Sequence, residues 1–438
     1  MSALQASVER ALTLTGGAGA SLAITGSGGV ATAVAGFADV AAQRRVTPNT
    51  RFQIGSTTKP MTALMALRIA EGRGADPHAP LGDWFTAKSE ALSRIVSKGI
   101  TLAQLINHTS GLSGDVFVET KDGADDGLWL LEHAQALDDL HAPGAACSYC
   151  NLAYVALGAL IEEAYGAPWR LALVREISEP LGLTSLDAIP GGRSDDAVGH
   201  LGAGRELKPS PLQALARTNA AAGTTPRATA EDLARFGYAH LQMMRQDGLL
   251  TSASAQQMAD GAVSLPPGQS CEGFGLGFMT FDWKGGPVYG HDGLTIGQRA
   301  FLRLFPEAGL SVALLANGGD MKRLSHLIFD DLRDFTGAQP TSLIAGDGPP
   351  PPRAALGAYH RQNASATLED RHGFVSLTVT NHEAWAIDTY GATEGPFPLQ
   401  PVTKGVWGVA RGGEMLDGLS FYPDGSLCLG HRLYRKGS

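Results

Sequence analysis

Over residues 20–36, Leu22, Ile24, Val30 and Val34 alternate with small or polar residues on either side of Gly26, Ser27, Gly28 and Gly29. This is the pattern of a glycine-turned β-hairpin, and it predicts that the chain begins with strands. Phe52, Gln53, Ile54 and Gly55 then lead into Ser56, and Met61, Leu64, Met65, Leu67 and Ile69 follow at a three-to-four spacing. That spacing predicts a buried helix with Ser56 at its N-terminus. Between residues 100 and 260 the signals are mostly helical, with starts at Thr101, at 148–151 and at Thr229. The apolar run 152–161 is too short to cross a membrane and soon meets Glu162 and Glu163, so it reads as a buried helix.

Strand character returns at 273–278, 288–289, 298–305 and 310–315, predicting one antiparallel sheet, and a last helix is predicted at 325–335. Four consecutive prolines in 346–353 stiffen that segment into an extended spacer. Beyond it, 374–379, 383–388, 405–410 and 426–429 are short strand candidates separated by polar turns, which predicts a small β-sheet or barrel. The expected organisation is a catalytic domain over 1–345, a Pro-rich linker over 346–354 and a C-terminal β domain over 355–438.

Composition narrows the function. With 44% apolar and 18% charged residues, the 438-residue chain can bury a large core. Its formal charge of −9 is spread along the chain and no Lys/Arg cluster offers a phosphate-binding stripe, so nucleic acid is not an expected partner. Nor is a membrane, because no window approaches the length of an uncharged span. Residues 1–17 carry Glu9 and lack the basic start and unbroken apolar stretch of a secretory signal, which predicts a cytoplasmic protein. Four cysteines, at 147, 150, 271 and 428, are too few for a disulfide scaffold, and Cys147-Ser-Tyr-Cys150 has no second ligand pair. Reduced thiols and no metal or other cofactor are expected.

Of the nine lysines, only Lys59 has a serine three residues before it. On a helix that spacing puts both side chains on one face. A lysine becomes a base at neutral pH when burial or cationic neighbours lower its pKa, and the helix N-terminus turns backbone N–H groups toward developing negative charge. Alone, Ser56 and Lys59 would be an N-cap and a solvated first-turn residue. They are joined by Tyr149-Cys-Asn151 before an apolar helix and by His291-Asp-Gly293 on a strand edge, in that order. A tyrosine near a lysine ammonium is expected to have its phenolate stabilised, so either group can exchange protons near neutrality.

These triplets, with Phe52-Gln-Ile-Gly-Ser-Thr-Thr-Lys59 and Leu102-Ala-Gln-Leu-Ile-Asn-His-Thr-Ser-Gly-Leu112, resemble the serine β-lactamase and penicillin-recognising family over residues 10–335. The similarity is to its class C β-lactamase-like branch of esterases, D-aminopeptidases and D,D-peptidases. It implies an α/β (α+β) fold: a helical subdomain beside an antiparallel sheet flanked by helices, with the site between them. It also implies that Ser56 is the nucleophile, that Lys59 and Tyr149 share the base and acid roles, and that Asn151 orients Lys59 and a substrate amide. Leu294, after Gly293, would donate the second oxyanion-hole N–H. His291 stands where the β-lactamases and many peptidases of the family carry the lysine of a Lys-Thr-Gly triplet, which argues against efficient β-lactamase activity.

The implied activity is a serine hydrolase or acyltransferase that forms an acyl-Ser56 intermediate from a small ester, amide or peptidyl donor and passes it to water or an amine. A further resemblance is to stand-alone thioesterases that release and cyclise nonribosomal peptides, act on carrier-bound donors and carry a lipocalin-like barrel. In that reading Arg432 reaches the groove and holds a peptide carboxylate; the plainer reading is a surface arginine on the last strand. The alternative from another class is a non-catalytic, acyl-binding sensor.

Overall fold

The computed structural model describes residues 3–120, 126–260, 263–341, 343–371, 373–411 and 414–437. The chain starts with a helix rather than a strand: α1 (Ala3–Thr15) buries Ser7, Val8, Ala11, Leu12 and Thr15 along one stripe. The four-residue recurrence that makes this stripe mixes small and polar side chains, so it carries little apolar contrast.

The predicted hairpin follows as β1 (Gly19–Gly26) and β2 (Gly29–Asp39), which pair around the glycine turn. With β3 (Arg44–Arg45), β4 (Val263–Ser264), β5 (Gly273–Phe274), β6 (Met279–Trp283), β7 (Gly286–Thr295), β8 (Gln298–Phe305) and β9 (Leu310–Asn317) they form a nine-stranded antiparallel sheet. Its order is β3-β2-β1-β9-β8-β7-β6-β5-β4, so the first strand lies against the last. Successive side chains of β9 enter opposite cores: Val312, Leu314 and Ala316 join one, Ala313 and Leu315 the other. Period-two alternation with both faces apolar requires cover on both sides. α1 and α5 (Met321–Asp331) supply it on one face. α2 (Lys59–Gly72), α3 (Asn151–Tyr165) and α4 (Ala230–Met243) belong to the other core.

α2 is preceded by a 3₁₀ turn, Gly55–Thr58, and its first turn contains Pro60, where an unneeded N–H is lost at no cost. α3 starts where the Cys150 side chain accepts the Ala153 N–H, and ends at Gly166 with φ of 64°, the left-handed C-cap that glycine favours. A buried ion network fixes the strand before the turn. Arg51 Nε and Nη2 donate to the two oxygens of Asp196 at 2.7 and 2.8 Å, and Nη1 donates to Asp187 at 2.6 Å.

Eight further strands close into a barrel: β10 (Gly357–Arg361), β11 (Ala364–Arg371), β12 (Phe374–Asn381), β13 (Thr393–Thr403), β14 (Val406–Arg411), β15 (Glu414–Phe421), β16 (Leu427–Leu429) and β17 (Arg432–Lys436). Tyr359, Leu377, Trp407, Leu419 and Tyr434 are among the residues that fill it. The Pro-rich segment lies against its wall, with Trp407 Nε1 donating to the Pro349 carbonyl at 2.9 Å. The expected strand at 383–388 is instead α6 (Ala384–Tyr390). Trp385 and Ile387 suggest alternation, but the intervening Ala384 and Ala386 are strong helix formers and Gly391 follows to end the helix.

Candidate active site

Three glycines bring separate segments onto the backbone of Ser56. Gly55 has φ of 54°, and a side chain there would sit 2.8 Å from the Leu294 nitrogen. A Cβ on Gly293 would be 1.9 Å from the Ile54 carbonyl oxygen and 3.2 Å from the Ser56 nitrogen, and one on Gly223 would be 3.0 Å from that same nitrogen. Strand β7 pairs with β6 only as far as Gly290, so beyond it the strand edge faces the Ser56 turn. Gly293 was expected to matter; Gly55 and Gly223 carry no sequence signal beyond being glycine.

Lys59 is fully buried on the first turn of α2. Its Nζ stands 3.0 Å from Ser56 Oγ, 2.7 Å from Asn151 Oδ1 and 2.7 Å from the Ala222 carbonyl. Burial pushes its pKa well below the ordinary lysine value, although the Asp115 charge pulls it back upward. A neutral amine has two N–H bonds and one lone pair. Donating those bonds to Asn151 and Ala222 leaves the lone pair for the Ser56 hydroxyl.

Asn151, the first residue of α3, is itself oriented: its Nδ2 donates to Asp115 Oδ1 at 2.6 Å. Tyr149, immediately before, lies with its ring 4.9 Å from Lys59 Nζ and is tilted against the His108 ring at 4.3 Å. Burial lifts the Tyr149 phenol above its ordinary pKa, against the opposing pull of the neighbouring Ser56 hydroxyl and the charge of Arg432. The expected stabilised phenolate is therefore corrected: burial disfavours charge on both groups, and Tyr149 is a neutral phenol beside a base. His108 is held neutral by the same burial, and its Nδ1 accepts the Cys150 N–H at 3.1 Å.

His291 is fully buried beneath the site and does not line the cavity. Its Nδ1 is 2.7 Å from the Asp292 carbonyl, and burial lowers its pKa to about 3. Leu294 is 46% exposed, so its side chain faces the cavity while its backbone abuts Gly55. Arg432 is not a surface residue: it lines the cavity, and its Nε donates to Asp115 Oδ2 at 2.6 Å, as does Arg361 Nη1 at 2.6 Å. Burial alone would raise the Asp115 carboxyl, but the two arginines hold it well below the usual range. Asp115 and Arg361 were not anticipated from sequence. The four cysteines are free and buried.

The resulting cavity has a volume of about 420 Å³. Ser56, Tyr149 and Asn151 lie at its floor, and Arg361, Trp385 and Arg432 of the barrel form part of its wall. Trp385 meets Phe117 edge-on with ring centroids 5.3 Å apart, joining barrel to helical part across the opening. Among the described residues no group of three or more His, Cys, Asp or Glu side chains could hold a metal ion, and no helix is long and apolar enough to cross a membrane.

A helical part and an antiparallel sheet with a serine and a buried lysine paired between them define the Beta-lactamase family, which residues 4–332 match; the chain belongs to it, and hence to a family of serine hydrolases. Among characterised proteins, it is 29% identical to penicillin-binding protein 4 of Amycolatopsis lactamdurans over 332 residues, covering 73% of this chain and 87% of that one. It is 31% identical to the D-aminopeptidase of Brucella anthropi over 161 residues, 35% of this chain and 29% of that protein. The crystal structure of SurE superposes with a TM-score of 0.78 at 25% identity, over 99% of this chain and 98% of SurE, and SurE has also been solved with D-Leu.

Proposed function

We propose that the protein is an acyl-transferring serine hydrolase in which Ser56 Oγ attacks the donor carbonyl and Lys59 takes its proton. The observation that carries this reading is the buried amine 3.0 Å from the hydroxyl, with its two other hydrogen bonds already made. As the C–O bond forms, charge develops on the carbonyl oxygen, where the Ser56 and Leu294 N–H groups serve as the oxyanion hole. The neutral Tyr149 phenol beside Ser56 gives its proton to the leaving group and regains one from the Lys59 ammonium. Water or an amine then attacks the acyl-Ser56 ester with the same groups acting in reverse.

The acyl donor we favour is peptidyl, carried as a thioester or ester and released by attack of its own amine. Support comes from the 420 Å³ cavity, which exceeds what a simple acetyl ester needs, and from Arg361, Trp385 and Arg432 of the barrel, which extend its wall beyond the serine and place two guanidinium groups in it. The D-Leu complex of SurE supports a D-configured residue at the acylating end.

Intact-protein mass after brief exposure to a simple activated ester, a D-leucine amide, a β-lactam and a peptidyl thioester with a free amine tests both levels, with Ser56→Ala alongside. Adducts or turnover lost in the variant, with cyclic product from the thioester, are expected. Consumption of none of the four would overturn the enzyme reading and favour an acyl-binding sensor, whereas hydrolysis without cyclic product would overturn only the cyclase level.

A further inference from the structure

Between the two barrel strands β10 and β17 and the serine runs an unbroken chain of hydrogen bonds. Arg361 on β10 and Arg432 on β17 both donate to Asp115 Oδ2 at 2.6 Å, and Arg432 Nη2 reaches Oδ1 at 3.4 Å. Asp115, 3% exposed, accepts the Asn151 amide N–H at 2.6 Å, and Asn151 Oδ1 accepts from Lys59 at 2.7 Å. An asparagine amide has two ends of opposite character. With Nδ2 committed to a carboxylate that accepts only, Oδ1 must face Lys59. Without Asp115, nothing in this set prevents the amide from turning its N–H groups toward the amine and pushing it off Ser56.

We propose that Asp115 is the positioning residue for Lys59, acting through Asn151, and that Arg361 and Arg432 place it there, so that the lysine is aimed at Ser56 only while the barrel is seated. This goes further than the acyl-transfer reading but rests on it for the importance of Lys59. The residues come from three distant stretches of chain, around 115, around 151 and the barrel, and the chain through Asp115 and Asn151 ends on the amine itself, whereas the other approach of the barrel, Arg432 over the Tyr149 ring at 4.8 Å, meets Lys59 only across that ring. A carboxylate with two arginines is an arrangement that keeps one negative charge fixed while leaving net positive charge around it. The groups facing Lys59 are Asp115, Arg432, Cys150, Tyr149, Tyr154, His108 and His291. Of these, Asp115 favours the ammonium and Arg432 opposes it.

The test is an NMR titration of the ¹³Cε resonance of Lys59 in full-length, lysine-labelled protein, the resonance being assigned by its loss in Lys59→Met. Asp115→Asn should move the Lys59 titration to lower pH and Arg432→Gln should move it to higher pH, shifts of opposite sign that general loosening of the fold does not produce. In parallel, both variants should lose about 10-fold or more in kcat for a small activated ester, too short to reach the barrel wall. Should Asp115→Asn fail to fold, Arg432→Gln and Asp115→Glu carry the same readouts, Asp115→Glu keeping the charge and recovering part of the rate. Lys59 titrations unchanged from the parent, or shifted in the same direction by both charge-removing variants, would overturn the proposal. The titration needs no turnover, so its outcome is separable from a failure of Ser56 to form adducts.

Discussion

Replacing Gly293 by alanine is a compact test of the contact between the sheet edge and the Ser56 turn. The added carbon would lie 1.9 Å from the Ile54 carbonyl oxygen, 2.9 Å from its carbonyl carbon and 3.2 Å from the Ser56 nitrogen. All three are backbone atoms, so no side-chain rotation relieves the clash and the two backbones must part by about 1 Å. Overpacking of this kind costs about 1–3 kcal/mol of stability. The same displacement carries the Leu294 N–H away from its place in the proposed oxyanion hole, and losing one such donor costs about 10²–10³ in rate. Gly293→Ala is therefore expected to fold, to melt a few degrees lower, and to acylate with a small activated ester at least about 100-fold more slowly. Gly28→Ala, in a turn where an added carbon meets nothing within 4 Å, is the matched control and should leave the rate unchanged. A Gly293→Ala enzyme within about threefold of the parent rate, at an unchanged melting temperature, would refute both the close approach and the role of the strand edge.

Two further outcomes concern stability. Arg51→Met leaves Asp187 and Asp196 facing Arg193 and Arg227 with their buried partner gone, and should destabilise by about 3–5 kcal/mol in urea titration; a change below about 1 kcal/mol contradicts the network. His240 and His291 are buried and neutral, their pKa values lowered to about 4 and about 3 from an ordinary 6.5, so below pH 6.5 the unfolded chain binds protons that the folded chain refuses. Stability should therefore fall as pH drops from 6.5 toward 4, and a urea midpoint that stays level over that range would count against their burial.

What could be read from sequence depended on how local each feature is. Ser56 and Lys59 lie three residues apart on one helical turn, and the apolar run of α3 marks its own burial, so these were legible. So were β8 and β9, whose alternation is set by neighbouring residues. Asp115 acts through partners 246 and 317 residues away, a relation no local pattern records. The C-terminal barrel was expected and β12, β14 and β16 fall on predicted strands, but β13 was hidden for a different reason: it contains Pro396, Pro398 and Pro401, which erase a strand signal, and it survives because its neighbours on both sides complete the ladder around those positions. The opening helix α1 was missed because its buried stripe includes Ser7 and Thr15.

The pairing of β1 with β9, Gly19 against Asn317 at one end and Thr25 against Ser311 at the other, sets an order of events for a nascent chain. The hairpin leaves the ribosome early, after α1, with one edge of β1 bare, and that edge stays without its permanent neighbour until about 290 more residues have been made. The helices between can consolidate meanwhile from contacts close in sequence, whereas the sheet waits on a loop closure that spans most of the catalytic half. The fold around the serine–lysine pair is thus incomplete until synthesis has passed β9, and a chain interrupted earlier carries that pair beside an open, self-adhesive strand.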